Sequence, residues 1–216
     1  MMRSTLIIAF VLVAVLSVSS QNSFQGGIAG GFTMTQISGD NLAGFDQFGI
    51  SAGPFIRREI SGAGAVRMEI NFTQKGSRKI PDPENGDYNE YRLRLNYAEV
   101  PLLYEHRYKD IVFQGGLYVG FLLGWKEETQ FGDLIILDQN QKPLEFEDLD
   151  VGMALGLYYE VTEKFFVSGR YTGSLLPVRK HPSGQTLSQA LGGTFTEANA
   201  GQYSSVLQFG IGVLFQ

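Results

Sequence analysis

A chain of 216 residues with 12% aromatic residues, 27 glycines and no cysteine has room for one large domain and no disulfide framework. Its formal net charge of −5 provides no basic footprint of the kind that nucleic acid requires. The lack of cysteine also excludes lipoprotein processing.

The N-terminus carries Arg3, an apolar core from Leu6 to Leu16, and then Ser17-Val18-Ser19-Ser20 before Gln21. That order reads as a secretory signal, with a core too short for a membrane-spanning helix of about 20 residues. Residues 1–20 are therefore expected to be removed, leaving residues 21–216 as a single, slightly more acidic domain. No later apolar run reaches the roughly 18 residues that a spanning helix needs. An exported chain without such helices or disulfides can be stabilised as a closed β-barrel.

Period-two alternation, the mark of a two-faced strand, then recurs along the chain. In residues 25–36, Ile28, Gly30, Phe32 and Met34 oppose Gly27, Ala29, Gly31, Thr33 and Thr35. Residues 47–57 set Phe48, Ile50, Ala52 and Ile56 against Ser51, Phe55 and Arg57. Pro54 interrupts them, removes a ladder donor and predicts a bulge. A third strand runs to residue 75, with Val66, Met68, Ile70 and Phe72 opposite Arg67, Glu69, Asn71 and Thr73. After the polar loop 76–89, residues 91–104 read Y-R-L-R-L-N-Y-A-E-V-P-L-L-Y. This stretch exceeds the usual strand of about five or six residues and is long enough to cross a bilayer, which takes roughly nine to eleven. Its apolar set begins as Tyr91, Leu93, Leu95 and Tyr97 and ends as Val100, Leu102 and Tyr104, so a register-flipping bulge is expected near residues 98–101. Further strands follow at 111–125, 151–159 and 165–175, with a last one ending at residue 215. The intervening turns lie near 107–110 and 162–164, and the long loops at 126–149 and 177–201.

Eight strands with connections alternating long and short predict an all-β, eight-stranded antiparallel up-and-down transmembrane barrel. Its long loops share one rim and its short turns the other, as in Gram-negative outer membranes. A soluble lipocalin-like barrel, apolar inside, is the rival. The sparsely charged polar faces favour a lipid-facing apolar side. So does the clustering of aromatics near strand ends: Tyr91, Trp125 and Tyr171 toward the loops, and Tyr104, Phe113, Tyr159 and Phe165 toward the turns.

The segments G-G-F-T-M-T-Q-I-S-G-D, M-E-I-N-F-T-Q-K-G-S and L-N-Y-A-E-V-P-L-L-Y, followed late by F-F-V-S-G-R-Y, resemble the PorT-like outer-membrane β-barrel proteins. The resemblance spans nearly the whole mature chain. It implies a small barrel in a Gram-negative outer membrane, with a link to type IX protein secretion for the family's namesake. It brings no catalytic motif.

Facing assigns Arg67, Glu69, Arg92, Arg94, Glu99 and Arg170 to the lumen, with Glu69 and Arg170 on opposite walls. Eight strands leave a bore just wide enough for side chains, so these charges are read as a paired structural plug rather than a filter. The acidic loop with Asp133, Asp138, Glu145, Glu147, Asp148 and Asp150 lacks regular calcium-loop spacing and is read as solvated. His106 and His181 fall at opposite rims with no serine placed beside either, which argues against a lipid-modifying enzyme. No cofactor or metal is called for. The expected partners are outer-membrane lipid and other envelope or secretion proteins around a monomeric barrel, and transport of small solutes is the alternative role.

Overall fold

Alternating inward and outward side chains build the wall of the computed structural model, which describes residues 24–40, 42, 44–136, 141, 143–179 and 201–215. The strands are β1 (Phe24–Ser38), β2 (Gln47–Ser61), β3 (Gly64–Glu69), β4 (Asn71–Lys79), β5 (Tyr91–Tyr108), β6 (Ile111–Thr129), β7 (Gly132–Asp133), β8 (Leu149–Glu160), β9 (Phe165–Ser174) and β10 (Tyr203–Phe215). Neighbours pair antiparallel, and β1 pairs with β10, so the sheet closes on itself. β3 and β4 form one stave, since both lie between β2 and β5. β7 merely extends the end of β6. The outcome is the eight-stranded up-and-down barrel. Short turns at 62–63, 109–110 and 161–164 share a rim with the start of β1 and the end of β10. The proposed signal segment, Asp138, His181 and most of the 177–201 loop lie outside the described residues.

Two expected bulges are absent. Phe55↔Glu69 and Ala52↔Phe72 keep one register across Pro54, whose carbonyl still accepts from the Ile70 amide at 3.0 Å. Proline deletes a donor from this ladder without shifting it. β5 likewise keeps its facing throughout: Tyr91, Leu93, Leu95, Tyr97, Glu99, Leu103 and Glu105 are all buried on the inner side. The register shift lies instead in β6, where Asn96↔Gly124 is followed by Tyr97↔Leu122 and Leu123 is the inserted residue. Trp125, paired with Leu95, therefore faces the inside of the mouth and packs on Phe146 with ring centroids 5.3 Å apart. Tyr91 and Trp125 thus do not belong to a lipid girdle, whereas Tyr104, Phe113, Tyr159, Phe165 and Tyr171 are exposed on the outer wall.

The outer wall is apolar over most of its height: Ile28, Phe32, Ile50, Leu102, Leu117, Leu155 and Ile211 are all exposed. Most of the buried charged residues face the bore. A water-soluble barrel has the reverse arrangement, so the lipocalin-like rival fails here. Glycines on the inner face make room for large neighbours. A Cβ at Gly212 would lie 2.0 Å from the Phe166 ring, and one at Gly152 would lie 2.4 Å from Tyr118.

Candidate functional site

The lumen is filled in layers, beginning at the short-turn rim. Phe55, Val112, Tyr158, Phe166 and Leu214 form an apolar cluster there. The Arg67 guanidinium lies over the Phe55 ring at 3.5 Å and near Phe166 at 5.3 Å, a cation–π seat that replaces part of its lost hydration. Glu105 gathers the surrounding donors: Arg57 Nε at 2.8 Å, Gln114 Nε2 at 2.9 Å and the Tyr158 hydroxyl at 3.2 Å. Gln25 accepts from the other end of Arg57 at 2.8 Å.

One layer higher, Arg170 donates to both oxygens of Glu69, each at 2.7 Å, and reaches Gln114 Oε1 at 3.0 Å. This two-pronged geometry is the strongest form of the guanidinium–carboxylate contact. Arg67 Nε lies 2.6 Å from Glu69 Oε1, and Asn71 donates to Oε2 at 2.7 Å. An adjoining cavity of about 40 Å³, lined in part by Arg67, Glu69, Gln114 and Arg170, has room for a few water molecules at most.

The third layer centres on Lys75. Its Nζ lies 2.5 Å from Glu99 Oε1 and donates to Asp150 Oδ2 at 2.6 Å and to the Tyr118 hydroxyl at 3.3 Å. Tyr118 in turn donates to Asp150 Oδ2 at 3.0 Å. Across these layers Arg57, Arg67, Lys75 and Arg170 are matched one for one by Glu69, Glu99, Glu105 and Asp150, the condition under which buried charge is tolerated.

The mouth has a different character. Ile37, Tyr91, Leu93, Leu95 and Tyr97 from the wall pack with Phe146 and Val178, which two long connections fold inward. Backbone bonds from Glu147 N to Val178 O at 2.8 Å and from Val178 N to Gln202 O at 2.7 Å tie those connections together. Arg179 lies over Phe146 at 3.7 Å and pairs with Glu127 at 2.6 Å, and Glu127 also accepts from the Tyr91 hydroxyl at 2.6 Å. Asp40, just past β1, is buried among these groups; burial pushes its carboxyl up to about 6, with the nearby Glu127 charge adding to the rise. Hydrogen bonds from the Ser77 side chain and the Leu42 amide pull the other way.

Of the residues named from the sequence, Arg67, Glu69 and Arg170 meet in one cluster, and Glu99 joins Lys75 in the next. Arg92 and Arg94 stand on the outer wall, because β5 keeps its register where a flip was expected. Asp150, read from the sequence as part of a solvated acidic loop, is instead buried against Lys75, because β8 already begins at Leu149 and turns it inward. Lys75, Arg57, Glu105, Glu127 and Arg179 were not among the charges assigned to the lumen. Parity held a signal for most of them: Lys75 continues the series Arg67, Glu69, Asn71, Thr73, and Asp150 precedes Gly152 on an inward face. His106 points outward at the turn rim, between Gly64 and Phe113. Among the described residues, no three histidine or acidic side chains gather as a metal site.

Solved structures of similar shape include CarO of Acinetobacter baumannii, at 10% identity and a TM-score of 0.49 over 88% of this chain and 97% of that one. Ail of Yersinia pestis matches at 10% identity and a TM-score of 0.48 over 91% and 100%. Neisserial surface protein A matches at 14% identity and a TM-score of 0.46 over 91% and 100%. No curated protein sequence matches the chain. The family described as outer membrane protein beta-barrel domain matches residues 19–179, and this chain, an outer-membrane barrel of the Gram-negative envelope, belongs to that family.

Proposed function

We propose that this barrel is closed by its own side chains and serves the envelope as a structural or partner-binding protein, working through its external loops and rim. The observation that carries this reading is the succession of paired layers across the bore, capped at the mouth by the Phe146 and Val178 segments. An eight-stranded bore is only just wide enough to be filled in this way. In planar bilayers the purified protein is expected to give no steady ion conductance. A reproducible open channel would overturn the plug and establish solute transport instead. Export on a cleaved segment 1–20, a single-chain barrel over 21–216 and the lack of an enzymatic role complete the reading. The outward position of His106, away from the buried acids, supports the last of these.

The PorT-like resemblance favours a second reading, as a component of a protein-secretion assembly. Two of the segments that carry it, Q-K-G-S and N-Y-A-E-V-P-L-L, meet in the Lys75–Glu99 pair. Closure of the lumen therefore accounts for that part of the likeness without a secretion partner. Cross-linking in native membranes separates the readings: recovery of secretion components would support the second, and their absence the first.

A further inference from the structure

The outward face of β4, β5 and β6 changes chemistry abruptly toward the loop rim. Phe72, Ala98 and Phe121 form one cross-strand row of the apolar wall. The next row holds Gln74 and Asn96, hydrogen-bonded at 3.1 Å. Above it Arg94 stands opposite Lys126, and then Arg78 stands opposite Arg92, with Glu128 on the far side of Arg92. Like charges placed directly across a ladder destabilise it, so this arrangement asks for a counter-charge. The local acids supply only part of one. Glu128 and Asp133 are both drawn to Lys126, at 2.6 and 3.6 Å, and Glu90 comes no closer to Arg78 than 4.0 Å, so the three arginines have no close acid of their own among the described residues. The Nε groups of Arg78, Arg92 and Arg94 are shielded from solvent and donate to no acceptor among the described residues.

Height decides which anion fits. Two rows of strand separate Phe72 from the Arg94 level, roughly 13 Å along the strand and less along the membrane normal once the barrel's tilt is counted. That places the cluster where acyl chains give way to headgroups, in the leaflet on the loop side. We propose that Arg78, Arg92, Arg94 and Lys126 bind the phosphate groups of a phosphorylated glycolipid of the lipid A type. The acyl chains of that lipid lie along Phe72, Ala98 and Phe121. Guanidinium groups suit this task because their planar forks match phosphate oxygens, and cations near a membrane surface strengthen the binding of anionic lipid.

The test is native mass spectrometry of the intact barrel released from phosphatidylcholine nanodiscs doped with bisphosphoryl lipid A or with its dephosphorylated form. The wild type should retain the bisphosphoryl lipid and release the dephosphorylated one. Arg78→Gln/Arg92→Gln/Arg94→Gln should retain it about tenfold less or worse. The control Arg58→Gln/Lys109→Gln/Lys164→Gln removes the same charge at the turn rim and should retain it like the wild type. Equal retention by the first triple variant, equal loss in the control, or equal binding of the dephosphorylated lipid would each overturn the assignment. Heat-dependent gel migration verifies that each variant is folded. If the triple variant does not fold, Arg94→Gln alone should still lower retention several-fold, and unchanged retention would overturn the assignment equally.

Discussion

Around Glu99, which the Lys75 side chain reaches down to, the wall buries charge and turns Phe72, Leu117 and Phe121 outward, whereas a few residues nearer the mouth β5 turns Leu93 and Leu95 inward and Arg92 and Arg94 outward. β5 alternates in the same way through both regions, although β6 carries an extra residue between them; the surroundings decide which face is polar. Lipid outside the first region cannot solvate a polar group, so polarity is driven into the bore and must be neutralised there. The second region rises clear of the acyl chains, and its interior is filled by folded connections, so it packs as an ordinary water-soluble core does. Polarity inverts along β5 while that strand keeps its facing, and the one inserted residue at the boundary, Leu123, lies in β6.

The sharpest way to break this contrast is to remove the cation of the lipid-level layer. Lys75→Met leaves Glu99 and Asp150 buried without their counter-ion and should cost about 3–5 kcal/mol. Lys79→Met, at the loop-rim end of the same strand, loses a solvent-exposed pair with Asp87 at 2.7 Å and should leave stability almost unchanged. Reversible urea unfolding from lipid vesicles measures both. Similar losses at the two positions would mean that the lumen layer is hydrated rather than sealed.

A second break acts from outside. Leu117 is exposed on the outer wall, paired with Leu102 and Met153. Leu117→Arg should cost about 2–4 kcal/mol in lipid, the penalty for a cation near the bilayer midplane. Unfolding the same variant in a short-chain detergent micelle, where water reaches the wall, should show a markedly smaller loss. Equal losses in the two media would place Leu117 away from the hydrocarbon.

The contrast also explains what could be read from the sequence. Strand number, turn positions and the long–short rhythm of the connections were legible, because alternation and turn residues are local properties. The facing of β1, β2, β8, β9 and β10 was legible too, since their apolar sides stay in lipid. β5 was misread above Tyr97 because alternation distinguishes two faces without saying what lies beyond each. Assigning every apolar side to lipid forced an imaginary flip at 98–101 and carried Arg92 and Arg94 into the bore. The mouth pair Arg179–Glu127 was out of reach, since it depends on a long connection folding back across the barrel. No spacing within the sequence records that return.

The smallest expected effect concerns the mouth's own buried acid. In the lipid-level layers each buried carboxylate lies against a cation, whereas Asp40 is held by the Ser77 side chain and the Leu42 amide. Its carboxyl is raised to about 6 in the folded barrel from an ordinary value of 3.8, so the folded state binds the proton more tightly than the unfolded chain. Stability should therefore rise as pH falls through about 6 and level off below about 4. Above that window the carboxylate is charged in both states, and its burial penalty is felt in full. Between pH 8 and pH 5 the gain amounts to about 1 kcal/mol. Asp40→Asn lacks the titration, so subtracting its unfolding curve from that of the wild type isolates the single group from every other acid in the barrel. The difference should favour the variant more at pH 8 than at pH 5. A difference that stays level across that range would mean that water reaches Asp40, and that the mouth is not packed as an ordinary core.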